Sequence, residues 1–241
     1  MDTESTEDSG KKPVTDRGAS TDRGLTREFN TREGRQRDGV LELIGVGIEE
    51  IKGKRVLDVG VGGGSEVRQA LEIGLDWYGT DILPLVDATS LTGVRKANVE
   101  EMQRRFLALQ KAYPGRFEAA DFCSLRIPFH EDEFDIVLSV GALPGYAQTP
   151  REAMISLFNM IFVARERVVV NRGWNSDSNA NGEVNLGTDE SRFRFPMRDF
   201  LESLSEAGIK YTLRKGKADY IIDIDTKGKK SDEINRLRNE K

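Results

Sequence analysis

Arg55-Val56-Leu57-Asp58-Val59-Gly60-Val61-Gly62-Gly63-Gly64-Ser65 is an apolar run closed by glycines, with a helical pattern opening behind it near Ser65. Valines on both sides of Leu57 favour an extended strand. The glycines after it permit positive φ and, lacking Cβ, leave room for a ligand to approach the backbone. A dinucleotide-binding turn carries glycine at the first, third and sixth places; counted from Gly60, the sixth here is Ser65. Asp58 is the second signal. A carboxylate near the end of an apolar strand must be solvated or paired. A ligand ammonium satisfies it directly or through water, whereas a cofactor phosphate is repelled. The alternative is an aspartate that hydrogen-bonds the amides of the glycine turn.

Outward from this turn, short β-branched runs alternate with stretches of helical period, the pattern of a parallel sheet covered by helices. A helix over 38–51, with Leu41, Leu43, Ile44, Ile48 and Ile51 on its apolar side, leads into the strand at 55–59. Further strands are expected at 77–80, 116–120, 134–140 and 167–171, with helices over 98–113 and 151–162. A polar loop over 175–191 and a helix over 197–207 follow. A closing pair of strands, 211–214 and 220–224, turns at Lys215-Gly216-Lys217. The expected fold is α/β: a Rossmann-like, seven-stranded, mostly parallel sheet with helices on both faces and an antiparallel closing strand.

The 241 residues suit one main domain. Hydrophobic residues make up 37% and charged residues 32%, so solvated tails are expected around a denser core. Residues 1–33 read as a disordered leader, 34–225 as the domain and 226–241 as an exposed charged tail. A formal charge of −5 supplies no basic field for general nucleic-acid binding. One cysteine, Cys123, and one histidine, His130, cannot build a zinc cage or an internal disulfide, and no metal site is expected. No basic, apolar leader and no apolar run of about 18 residues is present, so the reading is cytoplasmic, without a membrane span.

From Asp58 to Gly64 the chain resembles the first motif of class I S-adenosylmethionine-dependent methyltransferases, an acidic residue followed by glycines. Tyr78-Gly79-Thr80-Asp81-Ile82 resembles their second motif. The resemblance implies that Asp81 accepts from both ribose hydroxyls and that Ile82 packs on adenine. It likewise implies that Asp121, after Phe117-Glu118-Ala119-Ala120, accepts from the adenine amine while Phe122 packs on the base. Ile127-Pro128-Phe129 followed by Phe134-Asp135-Ile136-Val137 is similar to a stretch common in small-molecule methyltransferases. The implied cofactor is S-adenosylmethionine, held by Asp58, Gly60, Val61, Gly62, Gly64, Asp81, Ile82, Asp121 and Phe122, with Ser139 and Val140 facing the methyl-transfer site. Asn171-Arg172-Gly173-Trp174 replaces the family's usual apolar, proline and glycine turn, and so leaves the acceptor open.

Methyl transfer from a sulfonium is an in-line displacement that needs alignment and exclusion of water more than a catalytic side chain. No catalytic residue is therefore assigned. Tyr146, Asn171, Arg172 and Trp174 are the candidates for binding or orienting a small-molecule acceptor. His130 is expected on the surface, away from the site, and Cys123 buried rather than nucleophilic. The competing readings are a noncatalytic ligand-binding protein on the same fold, an NAD-dependent oxidoreductase, and a protein or RNA methyltransferase. Arg27, Arg32, Arg35 and Arg37 could serve an anionic substrate of the last.

Overall fold

A computed structural model describes residues 41, 44–171, 184–186, 193–215 and 220–240. Its sheet is built from β1 (Val56–Val59), β2 (Trp77–Asp81), β3 (Phe117–Ala119), β4 (Phe134–Val140), β5 (Ala164–Asn171), β8 (Lys210–Lys215) and β9 (Tyr220–Asp225). The spatial order is β3-β2-β1-β4-β5-β9-β8. The first five strands are parallel, and β9 runs antiparallel between β5 and β8. This is the expected seven-stranded sheet. Beside it a small hairpin pairs β6 (Val184–Leu186) with β7 (Phe193–Phe195), in part of the stretch expected to be a polar loop. Two short apolar runs, one of them Phe-Arg-Phe, carry that pairing.

Alternation along the strands sends side chains to opposite faces. Val56, Ile136, Leu138, Val169 and Ile221 face α1 (Ile48–Ile51), α2 (Ser65–Glu72) and α3 (Gly93–Ala112). Leu57, Val137, Val168, Val170 and Ile222 face α4 (Pro150–Val163), α5 (Met197–Glu206) and α6 (Ser231–Glu240). The start of α4 is locally encoded: Pro150 needs no donor there, and the Thr149 hydroxyl accepts from the Glu152 amide at 3.1 Å. Helix α3 begins at Gly93, several residues before the expected start. The connection ahead of it holds two single 3₁₀ turns, Leu83–Leu85 and Ala88–Ser90. The described part of the first expected helix is interrupted at Gly45, whose φ is +59°, and resumes as Ile48–Ile51.

The charged tail requires correction. Residues Ser231–Glu240 form α6, and its Ile234 and Leu237 lie in the core beneath α4. The two apolar residues are three apart, so one turn of helix brings both to one face. A composition dominated by charge conceals so short a stripe. Among the described residues no helix is long and apolar enough to cross a membrane.

Candidate active site

Strands β1 to β5 end at Val59, Asp81, Ala119, Val140 and Asn171, so their following turns gather at one edge of the sheet. Chain order reverses between β1 and β4, which places a crevice at this carboxyl edge. Gly60 lies at the crossing with φ +83°, and a Cβ there would fall on that of Ala142, in the turn after β4. The Gly60 and Val61 amides both donate to the Thr80 carbonyl, at 2.8 and 3.2 Å. The Gly62 amide donates to Asp81 Oδ2 at 2.7 Å. The turn amides are thus engaged elsewhere, and none of these bonds goes to Asp58.

Asp58 is 5% exposed, and among the described residues its carboxylate has no hydrogen-bond donor. Burial pushes its pKa up to about 8, with the charges of Glu66 and Asp81 adding to the effect. A buried carboxylate flanked by two more and matched by no cation among the described residues is suited to a cationic ligand group. Asp81, 8% exposed, accepts from the Gly62 amide on Oδ2 and the Leu83 amide on Oδ1, the latter at 2.9 Å. Ile82, beside it, is half-buried.

Asp121 follows β3 and is half-buried. Its Oδ1 accepts from the Cys123 amide at 2.9 Å, and the Ala120 amide donates to the Asp81 carbonyl at 3.0 Å, tying the third turn to the second. Val140, Tyr146 and Asn171 lie at or just beyond the ends of β4 and β5, with Gly141 donating to the Asn171 carbonyl at 2.6 Å. Arg172 and Trp174, like Arg27, Arg32, Arg35 and Arg37, lie outside the described residues. His130 is exposed ahead of the amino end of β4, away from this edge, and Cys123 packs half-buried against the core.

Three of the expected residues have structural duties of their own. The Phe122 ring is 2% exposed and leans on Phe129, so no face of it is open to a base. Ser139 is fully buried; its hydroxyl takes part in bonds with the Val59 and Leu143 carbonyls and the Leu143 amide, and serves the β4 turn. Gly64 caps α2 with φ +68°, and a Cβ there would strike Leu109 and Phe117, so its smallness serves helix packing. Ala142 and Met102, which crowd Gly60 and Gly62, escape sequence reasoning because they come from distant elements. Only the spacing of the glycines hinted that something large stands opposite. A cavity of about 670 Å³ near the amino ends of β4 and β5 is separate from this edge. It is bordered by Arg167, which pairs with Asp223 and Glu50.

Residues 57–161 match the family model described as a methyltransferase domain. Over this stretch the chain is similar to a methyltransferase domain. The matched stretch spans the strands β1 to β4 and most of α4, and so includes Asp58, Asp81 and Asp121. No curated protein matches the chain by sequence. In structure it is similar to the 1,6-didemethyltoxoflavin-N1-methyltransferase of Burkholderia thailandensis, at 17% identity over 84% of this chain and 82% of that one, with a TM-score of 0.52. That likeness shows a shared fold. The chain is also similar to the sugar N-methyltransferase KedS8 from Streptoalloteichus, at 16% identity over 94% of this chain and 99% of that one, with a TM-score of 0.49.

Proposed function

We propose that the protein binds S-adenosylmethionine at the carboxyl edge of β1 to β3 and transfers its methyl group to a small-molecule acceptor over β4 and β5, in the cytoplasm. The observation that carries the reading is Asp58, buried without a hydrogen-bond donor and held at a raised pKa. The cofactor supplies a methyl group on a positively charged sulfur. Asp58 would pair with the ammonium of its methionine portion, directly or through water. Asp81 would accept from the ribose diol, since one carboxylate can take hydrogen bonds from both hydroxyls, and Ile82 would cover one face of adenine. Asp121 would accept from the exocyclic amine. Val61 and Gly62 bring the backbone close enough for contact.

The chain's work in the transfer is alignment and exclusion of water. Val140 closes the crevice beside the donor, while Tyr146 and Asn171 orient the acceptor. A small acceptor agrees with the net charge of −5, and the Burkholderia protein of similar fold is a 1,6-didemethyltoxoflavin-N1-methyltransferase. Calorimetric titration with S-adenosylmethionine and S-adenosylhomocysteine tests the assignment. The wild type should bind both, and Asp81→Asn should weaken both roughly tenfold. A folded wild type that binds neither, with or without candidate acceptors, would refute the reading.

A further inference from the structure

Helix α6 reaches the edge of the site through a chain of buried polar groups. Arg238 is 9% exposed; its Nε donates to Asn159 Oδ1 at 2.8 Å and its Nη2 to the Leu125 carbonyl at 3.1 Å. The guanidinium lies over the Phe162 ring, 4.1 Å from its centre, and Nη1 donates to Asn235 at 3.1 Å. Asn159, fully buried on α4, has its oxygen turned to Arg238, so its amide nitrogen points the other way. That nitrogen donates to the carbonyls of Phe122 and Ser124, at 2.8 and 2.7 Å. Three carbonyls of the segment that follows Asp121 are thus fastened by two side chains, one of them on the last helix. At the other end of the segment, Asp121 itself accepts from the Cys123 amide.

We propose that Arg238 is a positioning residue for the adenine subsite, fixing the 121–125 turn through Asn159 and the Leu125 carbonyl so that the Asp121 carboxylate meets the base. The inference rests on the reading of Asp121 given above. The arrangement has a specific consequence. If the turn slackens, the cofactor loses its contact at the 6-position of the base, while the ammonium and ribose contacts on β1 and β2 remain.

The experiment compares S-adenosylhomocysteine with S-inosylhomocysteine, which carries a 6-oxo group in place of the amine, by calorimetry on the full chain. The wild type should prefer the adenosyl ligand, and Asp121→Asn should abolish or reverse that preference. Arg238→Met keeps the apolar stem over Phe162 and removes the donors; it should lower the preference about tenfold, the scale seen when outer hydrogen bonds orient metal ligands. Arg238→Lys, able to reach one acceptor but not both, should fall between. It takes over as the deciding variant if Arg238→Met does not fold. Arg236→Met, on the exposed side of the same helix, should leave the preference unchanged. An intact preference in the folded Arg238 variant, with Asp121→Asn having lost it, overturns the positioning role. A wild type without any preference overturns the Asp121 reading first, and this proposal with it.

Discussion

Two buried charges in this protein are treated in opposite ways. Asp58, at the glycine turn, has no hydrogen-bond donor among the described residues and is surrounded by like charge. Arg238, under the far face of the sheet, has all three guanidinium nitrogens bonded and an aromatic ring beneath it. Removing a charge from water costs several kcal/mol unless partners replace the solvent. A structural charge brings its partners with it, as Arg238 does. An ionisable group left without such partners, as Asp58 is, costs the protein stability, and on the proposed reading the ligand's cation is its partner.

The comparison breaks most visibly if the structural half is damaged. Asn159→Leu keeps the volume but leaves the carbonyls of Phe122 and Ser124 without this donor and Arg238 Nε without its acceptor. Urea denaturation should show a loss of about 3–5 kcal/mol, because each buried polar group left unpaired costs roughly 1–3 kcal/mol.

At Asp58 the effect should change sign. Asp58→Asn should weaken S-adenosylhomocysteine binding roughly a hundredfold, about 2.7 kcal/mol, yet stabilise the cofactor-free protein. The carboxyl titrates near 3.8 when exposed and near 8 in the fold, so between these values the folded state holds the extra proton. Stability of the wild type therefore falls as pH rises from about 4 to 8, and Asp58→Asn removes that slope. Its melting temperature should exceed that of the wild type at pH 8, by about 2–4 °C for each kcal/mol relieved, and match it near pH 4. Cofactor affinity should run the other way, since a cation binds the ionised form. It should rise about tenfold per unit up to pH 8 and then level, with a proton released on binding below that value.

The same contrast explains what could be read in advance. Asp58, Asp81 and Asp121 each sit at the end of an apolar strand, so local pattern and resemblance pointed to them together with the parallel sheet. Arg238 and Asn159 are separated by most of the distance from α4 to the chain's end, and each alone looks like an ordinary polar residue on a helix. Their meaning arises only from a tertiary contact. The burial of Phe122 was hidden for a related reason: its ring has apolar surface to bury against Phe129, which stands seven residues away in the chain. The bonds of Ser139 were equally hidden, because a hydroxyl at a strand end is as useful to the turn as to a ligand.

A smaller loss should come from Gly60→Ala. The substitution meets both an unfavourable φ of +83° and the Ala142 methyl, and should cost roughly 2–3 kcal/mol. Adding Ala142→Gly removes the collision but not the backbone cost. The double variant should therefore recover only part of the stability by thermal denaturation. Full recovery would show that the turn yields where the crossing of β1 and β4 requires it to hold.

The smallest effect lies two residues from Arg238. Arg236 pairs with Glu233 one turn earlier on α6, on a side of the helix where both remain in contact with water. An exposed pair of this kind gains little, because the solvent screens the attraction and ordering two long side chains costs entropy. Arg236→Met should shift stability by less than about 0.5 kcal/mol, and raising the salt concentration should erase even that. Arg238→Met should cost several times more and keep most of its cost at high salt, because its partners lie in the core. If the two arginines prove alike in both respects, α6 does not dock as described, and the contrast with Asp58 loses its structural half.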